Sequence, residues 1–215
     1  VHGAMAVTDF VYQGPKRGAD RAVVLAHGAG ADMNAAALTT VADALADVKI
    51  PSLRFNFPYM AAGRRSPDRP PVLEGAVRDA AALLAKQSKV APERLVLGGR
   101  SMGGRVCSMV VADGLPSAGL VLLGYPLHPP GNAENLRIEH LPRITVPCLF
   151  VSGTRDSFGT PDELKRHAKK IKGKVTWHWI DTGDHSFRPL KASGLTPASA
   201  LEGAAGAVVS FVTAL

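Results

Sequence analysis

Gly99-Arg100-Ser101-Met102-Gly103 sets a serine between two glycines, straight after the apolar run Leu95-Val96-Leu97. Gly98 and Gly104 flank the pattern on either side. Glycine loses more backbone freedom on folding than any other residue, so this clustering implies a backbone path that a Cβ would block. The pattern is G-x-S-x-G, and between a strand and a helix it describes a sharp turn with the serine at its apex. Side chains two residues to either side would collide across such a turn, which accounts for Gly99 and Gly103. Close packing of strand and helix is the expectation for Gly98 and Gly104. The turn sets the Ser101 hydroxyl above the free amides of the following helix, where negative charge is favoured.

A serine hydroxyl becomes an effective nucleophile when a base takes its proton. Of seven histidines, His185 in DTGDHSF follows the strand-like KVTWHWID and is the expected base. His178 lies inside that strand, and His27 in HGAGAD reads as a structural hydrogen-bonder. His167 and His140 read as surface residues, and His2 is terminal. His128 follows LLGYP and is expected to line the site, second to His185 as a base. Asp156 in VSGTRDSFG follows another strand, and a carboxylate there would hold the imidazole in the right tautomer. Asp181 and Asp184 stand too near His185 in sequence to face its ring, and Glu134 comes long after its strand. The order Ser101, Asp156, His185 is the one expected when a serine elbow precedes its partners.

An attacked carbonyl also needs donors for the charge that develops on its oxygen. The Met102 amide, beside the nucleophile, is one candidate. The Ala29 amide in HGAGAD is the other, with Gly30 as the alternative. GAGAD lacks the third glycine of a dinucleotide loop, and no G-x-x-x-x-G-K-[ST] phosphate loop exists. No cofactor and no metal are expected.

These residues need a scaffold that gathers strand ends. RAVVLAH (21–27), SLRFNF (52–57), RLVLGG, AGLVLLGYP, VPCLFVSG and KVTWHWID read as strands, several of them apolar throughout, as strands covered on both faces are. Between them run helical patterns. Leu38, Val41, Ala42 and Leu45 share one face, as do Leu73, Ala76, Val77, Ala80 and Leu84. MGGRVCSMVVAD is read with Met102, Val106, Met109 and Val110 inward. TPDELKRHAKK opens with a capping box on Thr160 and Glu163. The closing TPASALEGAAGAVVSFVTAL turns Leu201, Ala205, Val208 and Val212 inward. The alternation argues an α/β fold with a mostly parallel sheet and helices on both faces, ligands binding beyond the carboxyl ends of the strands. No composition break divides the chain, so residues 1–215 are read as one domain. The Pro-rich residues 127–145 have room for a short helix and not for a lid domain.

Composition excludes several classes. The net charge is +7, and residues 162–174 hold six Lys/Arg against two acids. That stretch lacks interleaved aromatics and reads as a solvated helix face, so no nucleic-acid partner is expected. No apolar run is long enough to span a bilayer, and no signal peptide is visible, so no membrane partner is expected. The opening VHGAM is compatible with a remnant of expression. Cys107 and Cys148 show no metal or redox spacing, which fits a reducing, cytoplasmic compartment. Oligomeric state is not encoded in any of these patterns.

HGAG, NFPY…GRRSPD, GGRSMGGR, GYPLHPPG, GTRDSFGTPDEL and GDHSF together resemble the α/β-hydrolase superfamily over nearly the whole chain. More narrowly, they are similar to a small branch related to dienelactone hydrolases, which includes a testis-expressed protein and a subunit of a histone-acetylating complex. The resemblance implies Ser101 as nucleophile, Asp156 as acid and His185 as base. Dienelactone hydrolases proper carry cysteine at the elbow, and this chain carries serine. The expected activity is cleavage of an ester, thioester or similar acyl bond in a small substrate; the alternative is a non-catalytic binding or scaffold protein on the same fold. Phe57 and Tyr59 are expected around the substrate, Phe158 and Phe187 either at the pocket wall or in simple packing, and Arg65 or its neighbour Arg64 is expected to meet an anionic group on the substrate.

Overall fold

In the computed structural model, residues 7–215 are described; VHGAM and His2 lie outside them. One sheet runs through the molecule in the order β1-β3-β2-β4-β5-β6-β7. Its strands are β1 (Phe10–Gln13), β2 (Ala22–Ala26), β3 (Ser52–Phe55), β4 (Leu95–Arg100), β5 (Gly119–Leu123), β6 (Cys148–Gly153) and β7 (Val175–Ile180). β2 to β7 are parallel, and β1 pairs antiparallel with β3. The helices are α1 (Ala36–Asp47), α2 (Pro58–Ala61), α3 (Pro70–Ser88), α4 (Met102–Ala112), α5 (Pro161–Ala168) and α6 (Pro197–Thr213).

The apolar strands split by residue parity, because successive side chains leave a strand on opposite faces. Val23, Leu25, Val96, Val121 and Val151 join α1 and α6 through Leu38, Leu45, Val208 and Val212. Val24, Leu97, Leu120, Leu122 and Phe150 join α3, α4 and α5 through Val77, Leu84, Val106, Val110 and Leu164. The inward faces of α1 and α3 are those the spacing predicts. On α4 the face is rotated: Gly103, Gly104, Cys107 and Val111 point inward with Val106 and Val110, while Met102 and Met109 are half-buried. On α6, Leu201 is half-buried and Ala200 and Ala204 take the core positions. β1 is absent from the sequence reading, since its four residues are all half-buried and show no clean alternation. The one-turn α2 was hidden in a loop-like stretch, where Pro58 starts the turn. Cys107 and Cys148 are free and buried.

Glycines set how closely α4 approaches the sheet. A Cβ on Gly99 would strike the Ala26 backbone of β2, and one on Gly103 would strike the carbonyls of Ala26 and His27. A Cβ on Gly98 would meet Val121 of β5. Gly99 and Gly103 therefore clear β2 and not each other; across the turn itself, a Cβ on Gly104 would lie 2.7 Å from the Gly99 carbonyl oxygen.

Residues 127–145 contain one short 3-10 turn, Leu141–Arg143. They are pinned to α4. The Ser108 hydroxyl donates to the Arg105 carbonyl at 2.7 Å and accepts from His140 Nε2 at 2.7 Å. His140, expected at the surface, is 5% exposed; the bond to Ser108 draws it in. Arg143 pairs with Asp113 at 2.7 Å, at the far end of α4.

Gly103→Ala should lose about 1–3 kcal/mol of unfolding free energy or more, because backbone must shift to admit the methyl group. Gly206→Ala on the exposed side of α6, where a Cβ meets open space, should gain up to about 1 kcal/mol. Urea titration of both variants checks the pair. A second expectation concerns pH. Burial first, and the Arg105 guanidinium second, pull folded His140 down to about 4. The unfolded imidazole takes up its proton near about 6.5. The unfolded state thus binds more protons between those values, so stability falls as pH drops from about 6.5 toward 4. His27 and His178, also held down by burial, act in the same direction. His140→Gln should flatten the decline by up to about 3 kcal/mol, read from urea midpoints across that range.

Candidate active site

Ser101 sits between β4 and α4 with φ 49° and ψ −116°. Such a backbone costs on the order of 1–3 kcal/mol and persists only where its surroundings hold it. Its N–H donates to the Leu123 carbonyl at 2.9 Å, and its carbonyl accepts from Arg105 at 3.0 Å. The Ser101 hydroxyl donates to His185 Nε2 at 2.9 Å. His185 Nδ1 donates to Asp156, 2.8 Å from Oδ2 and 3.0 Å from Oδ1. Asp156 is 1% exposed, and its Oδ1 also accepts from the Phe158 amide at 2.8 Å. The three residues that the sequence reading grouped are thus brought together, each at the carboxyl end of a different parallel strand.

The loops that carry Asp156 and His185 are tied to each other. The Arg155 amide donates to the Gly183 carbonyl at 2.8 Å, and the Thr182 amide donates to the Thr154 hydroxyl at 2.8 Å. Asp184 accepts from the Ser186 and Arg188 amides, so its carboxylate shapes the loop and does not face the His185 ring. Arg100 braces the same loop: its guanidinium lies 4.7 Å from the Phe187 ring and donates to the Leu123 carbonyl. Burial draws Arg100 down to about 10, against the pull of Asp156 and Asp184.

Met102 and Ala29, the two residues whose amides are expected to receive negative charge, both line the cleft with Ser101. Met102 opens α4, where a helix amide has no intrahelical acceptor. Neither it nor the Ala29 amide donates to a group among the described residues. His27 explains how the Ala29 amide is aimed. Its Nε2 accepts from the Phe57 amide at 3.1 Å, so Nδ1 carries the proton and donates to the Gly28 carbonyl at 2.8 Å. That carbonyl and the Ala29 N–H belong to one planar peptide and point in opposite directions. Tyr59 holds the next peptide, its hydroxyl donating to the Ala29 carbonyl at 3.0 Å. Burial first, then Asp68, pushes the Tyr59 phenol up to about 12, so it stays protonated and donates.

The cleft has a volume of about 900 Å³ and is lined by Gly28 to Ala31, Ala35 to Ala37, Arg100 to Met102, Arg105, Pro126, Arg137, Phe158, His185 to Arg188, Pro197 and Leu201. Phe158 stacks on His185 with ring centroids 3.9 Å apart. Five residues expected at the substrate lie elsewhere. Tyr59 is fully buried beneath the Ala29 loop. Arg65 is exposed away from the cleft, and Arg64 pairs with Asp68 at 2.7 Å. His128 is buried behind the cleft, donating through Nδ1 to the Pro129 carbonyl and facing Glu163 at 3.5 Å. Phe57 is fully buried as well. The arginines that do line the cleft were missed. Arg105 carried a signal, since a residue four after Ser101 shares its helix face. Arg137 carried none, because the fold of residues 127–145 decides where it goes. No cluster of His, Cys, Asp or Glu suited to a metal ion occurs among the described residues.

A hydroxyl, an imidazole and a buried carboxylate in this chain can move a proton from oxygen to nitrogen, with free amides nearby for a developing oxyanion. Known proteins share the scaffold. A serine hydrolase homologue from Coxiella burnetii is 18% identical, with a TM-score of 0.71 over 94% of this chain and 89% of that one. A dienelactone hydrolase from Anabaena variabilis is 17% identical, with a TM-score of 0.66 over 88% and 85%. A serine hydrolase without a lid from Xanthomonas campestris is 21% identical, with a TM-score of 0.63 over 91% and 87%. The family profile described as an alpha/beta hydrolase domain matches residues 19–213. With that match spanning most of its length, the chain belongs to the α/β-hydrolase family.

Proposed function

We propose that the protein is a serine hydrolase that cleaves an ester, thioester or similar acyl bond of a small substrate through an acyl-enzyme. The observation that carries this reading is the hydrogen-bond chain from Ser101 through His185 to Asp156, at 2.9 and 2.8 Å, opening on a cleft. In this reading His185 takes the Ser101 proton as the hydroxyl attacks the acyl carbon. Asp156 holds the imidazole and stabilises it once charged. The Met102 and Ala29 amides receive the charge that develops on the carbonyl oxygen. His185 then gives the proton to the leaving group, and water, deprotonated by the same imidazole, releases the acyl group. Residues 127–145 fold flat against α4, which favours short, soluble acyl groups over long chains. The sequence motifs support a place in the branch with a testis-expressed protein and a histone-acetylating-complex subunit. No helix among the described residues is long and apolar enough to cross a membrane, and two free, buried cysteines support a reducing, cytoplasmic setting.

A fluorophosphonate probe should label the wild type and not Ser101→Ala, and the variant should lose turnover of a short p-nitrophenyl ester. Labelling or turnover that survives in Ser101→Ala overturns the assignment. Asp156→Asn should lower kcat by about four orders of magnitude through the wrong tautomer, measured on the same ester.

A further inference from the structure

The cleft wall beside Ser101 carries charge that the acyl-transfer chemistry does not use. Four of its lining residues are arginines, Arg100, Arg105, Arg137 and Arg188, and none is Asp or Glu. Arg100 is occupied by Phe187 and the Leu123 carbonyl, and Arg188 is exposed at the rim. Arg105 and Arg137 are different. They come from separate parts of the chain, α4 and residues 127–145, and both line the cleft together with Pro126. Neither forms an ion pair among the described residues. Arg105 Nε is buried with no hydrogen-bond partner. The Arg137 side chain donates only to the Pro126 carbonyl, at 3.3 Å.

We propose that Arg105 and Arg137 form a subsite for a compact anionic group, a carboxylate or a phosphate, on the substrate. The class of reacting bond rests on the hydrolase reading above; the anion site does not. Two half-buried, like-charged guanidinium groups lining one cleft repel each other, and an anion bound between them offsets that repulsion. Arg137 is held below its ordinary value by burial first and by the Arg105 charge second. Each offers a planar fork of donors that matches the two oxygens of a carboxylate or phosphate.

The backbones that carry these forks are fixed in advance. The Arg137 amide donates to the Leu127 carbonyl at 2.8 Å, and its carbonyl accepts from the Tyr125 hydroxyl at 2.6 Å. The Arg105 carbonyl accepts from Ser108, itself held by His140. Glu139, the nearby carboxylate, is exposed and pairs with neither arginine. Arg105 lies one helical turn beyond Ser101, about 6 Å along the axis. A substrate joined to its anion by a spacer of a few atoms spans that distance.

The test has a binding arm and a turnover arm. The first titrates the protein with phenyl phosphate, benzoate and neutral benzyl alcohol by calorimetry. At least one anion should bind at least about tenfold tighter than the alcohol, and Arg105→Gln and Arg137→Gln should each weaken it about tenfold or more. Phosphate and carboxylate are told apart by which of the two binds. The second arm compares kcat/KM for phenyl butyrate with that for monophenyl adipate and for 4-carboxyphenyl butyrate. One anionic ester should be preferred by about 10- to 100-fold. The preference should collapse toward one in both variants and persist in Arg65→Gln, which removes an arginine outside the cleft. Arg105→Lys, keeping charge without the fork, should retain part of it and guards against a folding artefact. The subsite is overturned if neither anion outbinds the alcohol, if the two Gln variants bind as the wild type does, or if the esters are turned over with no preference for an anionic one. Anion binding without ester turnover or probe labelling upholds the subsite and overturns the hydrolase reading.

Discussion

The contact on which this molecule depends is backbone against backbone. α4 lies on the carboxyl ends of β2 and β4 at a spacing that leaves no room for a Cβ at Gly103 or Gly104, and β4 meets β2 with none to spare at Gly99. That approach forces the chain to reverse within one residue, and Ser101 takes the positive φ that the reversal requires. The strain is local and modest, while the two apolar layers on either side of the sheet are large. The fold can therefore hold one residue in an unfavourable conformation, and it does so where a hydroxyl must project above helix amides.

Everything else at the cleft is arranged to meet that hydroxyl. Because β2 to β7 are parallel, their carboxyl ends open on one edge, and loops distant in sequence converge there. Asp156 and His185 arrive on loops that bond to each other through Gly183 and Thr154, so their separation does not depend on either loop alone. Arg100, the residue before Ser101, braces the loop that carries His185 through Phe187. The Ala29 amide is aimed by a buried histidine whose two nitrogens are both engaged. The buried polar groups here are connected to one another, which is what makes them tolerable in an apolar surrounding.

The distribution of positive charge has two parts with different meanings. The basic run on and after α5 is exposed and solvated, apart from Lys165, whose amine sits 5.4 Å from the Trp179 ring. Net charge and composition register that run first. Arg105 and Arg137 in the cleft are half-buried and, among the described residues, form no ion pair, and they weigh more per residue because water screens them less. A count of charges along the chain does not separate the two groups.

The sequence by itself was enough for whatever depends on neighbours along the chain. Periods of two and of 3.6 marked the strands and the inward faces of α1 and α3, since a single element's geometry decides them. The serine elbow and the order of its partners were legible because a tight turn restricts residue type at fixed offsets. The tertiary structure decided which way side chains leave loops. Tyr59, Arg65 and His128 all follow strands that end at the cleft, yet none lines it. Where these side chains go depends on α2 and on the packing of α5, and not on spacing. β1 was recognisable only beside β3, whose edge it covers. Arg137 reached Arg105 because Tyr125, Ser108 and His140 fasten one irregular segment to α4. Contacts between segments remote in sequence have no local signature, because their geometry is set by what else occupies the core.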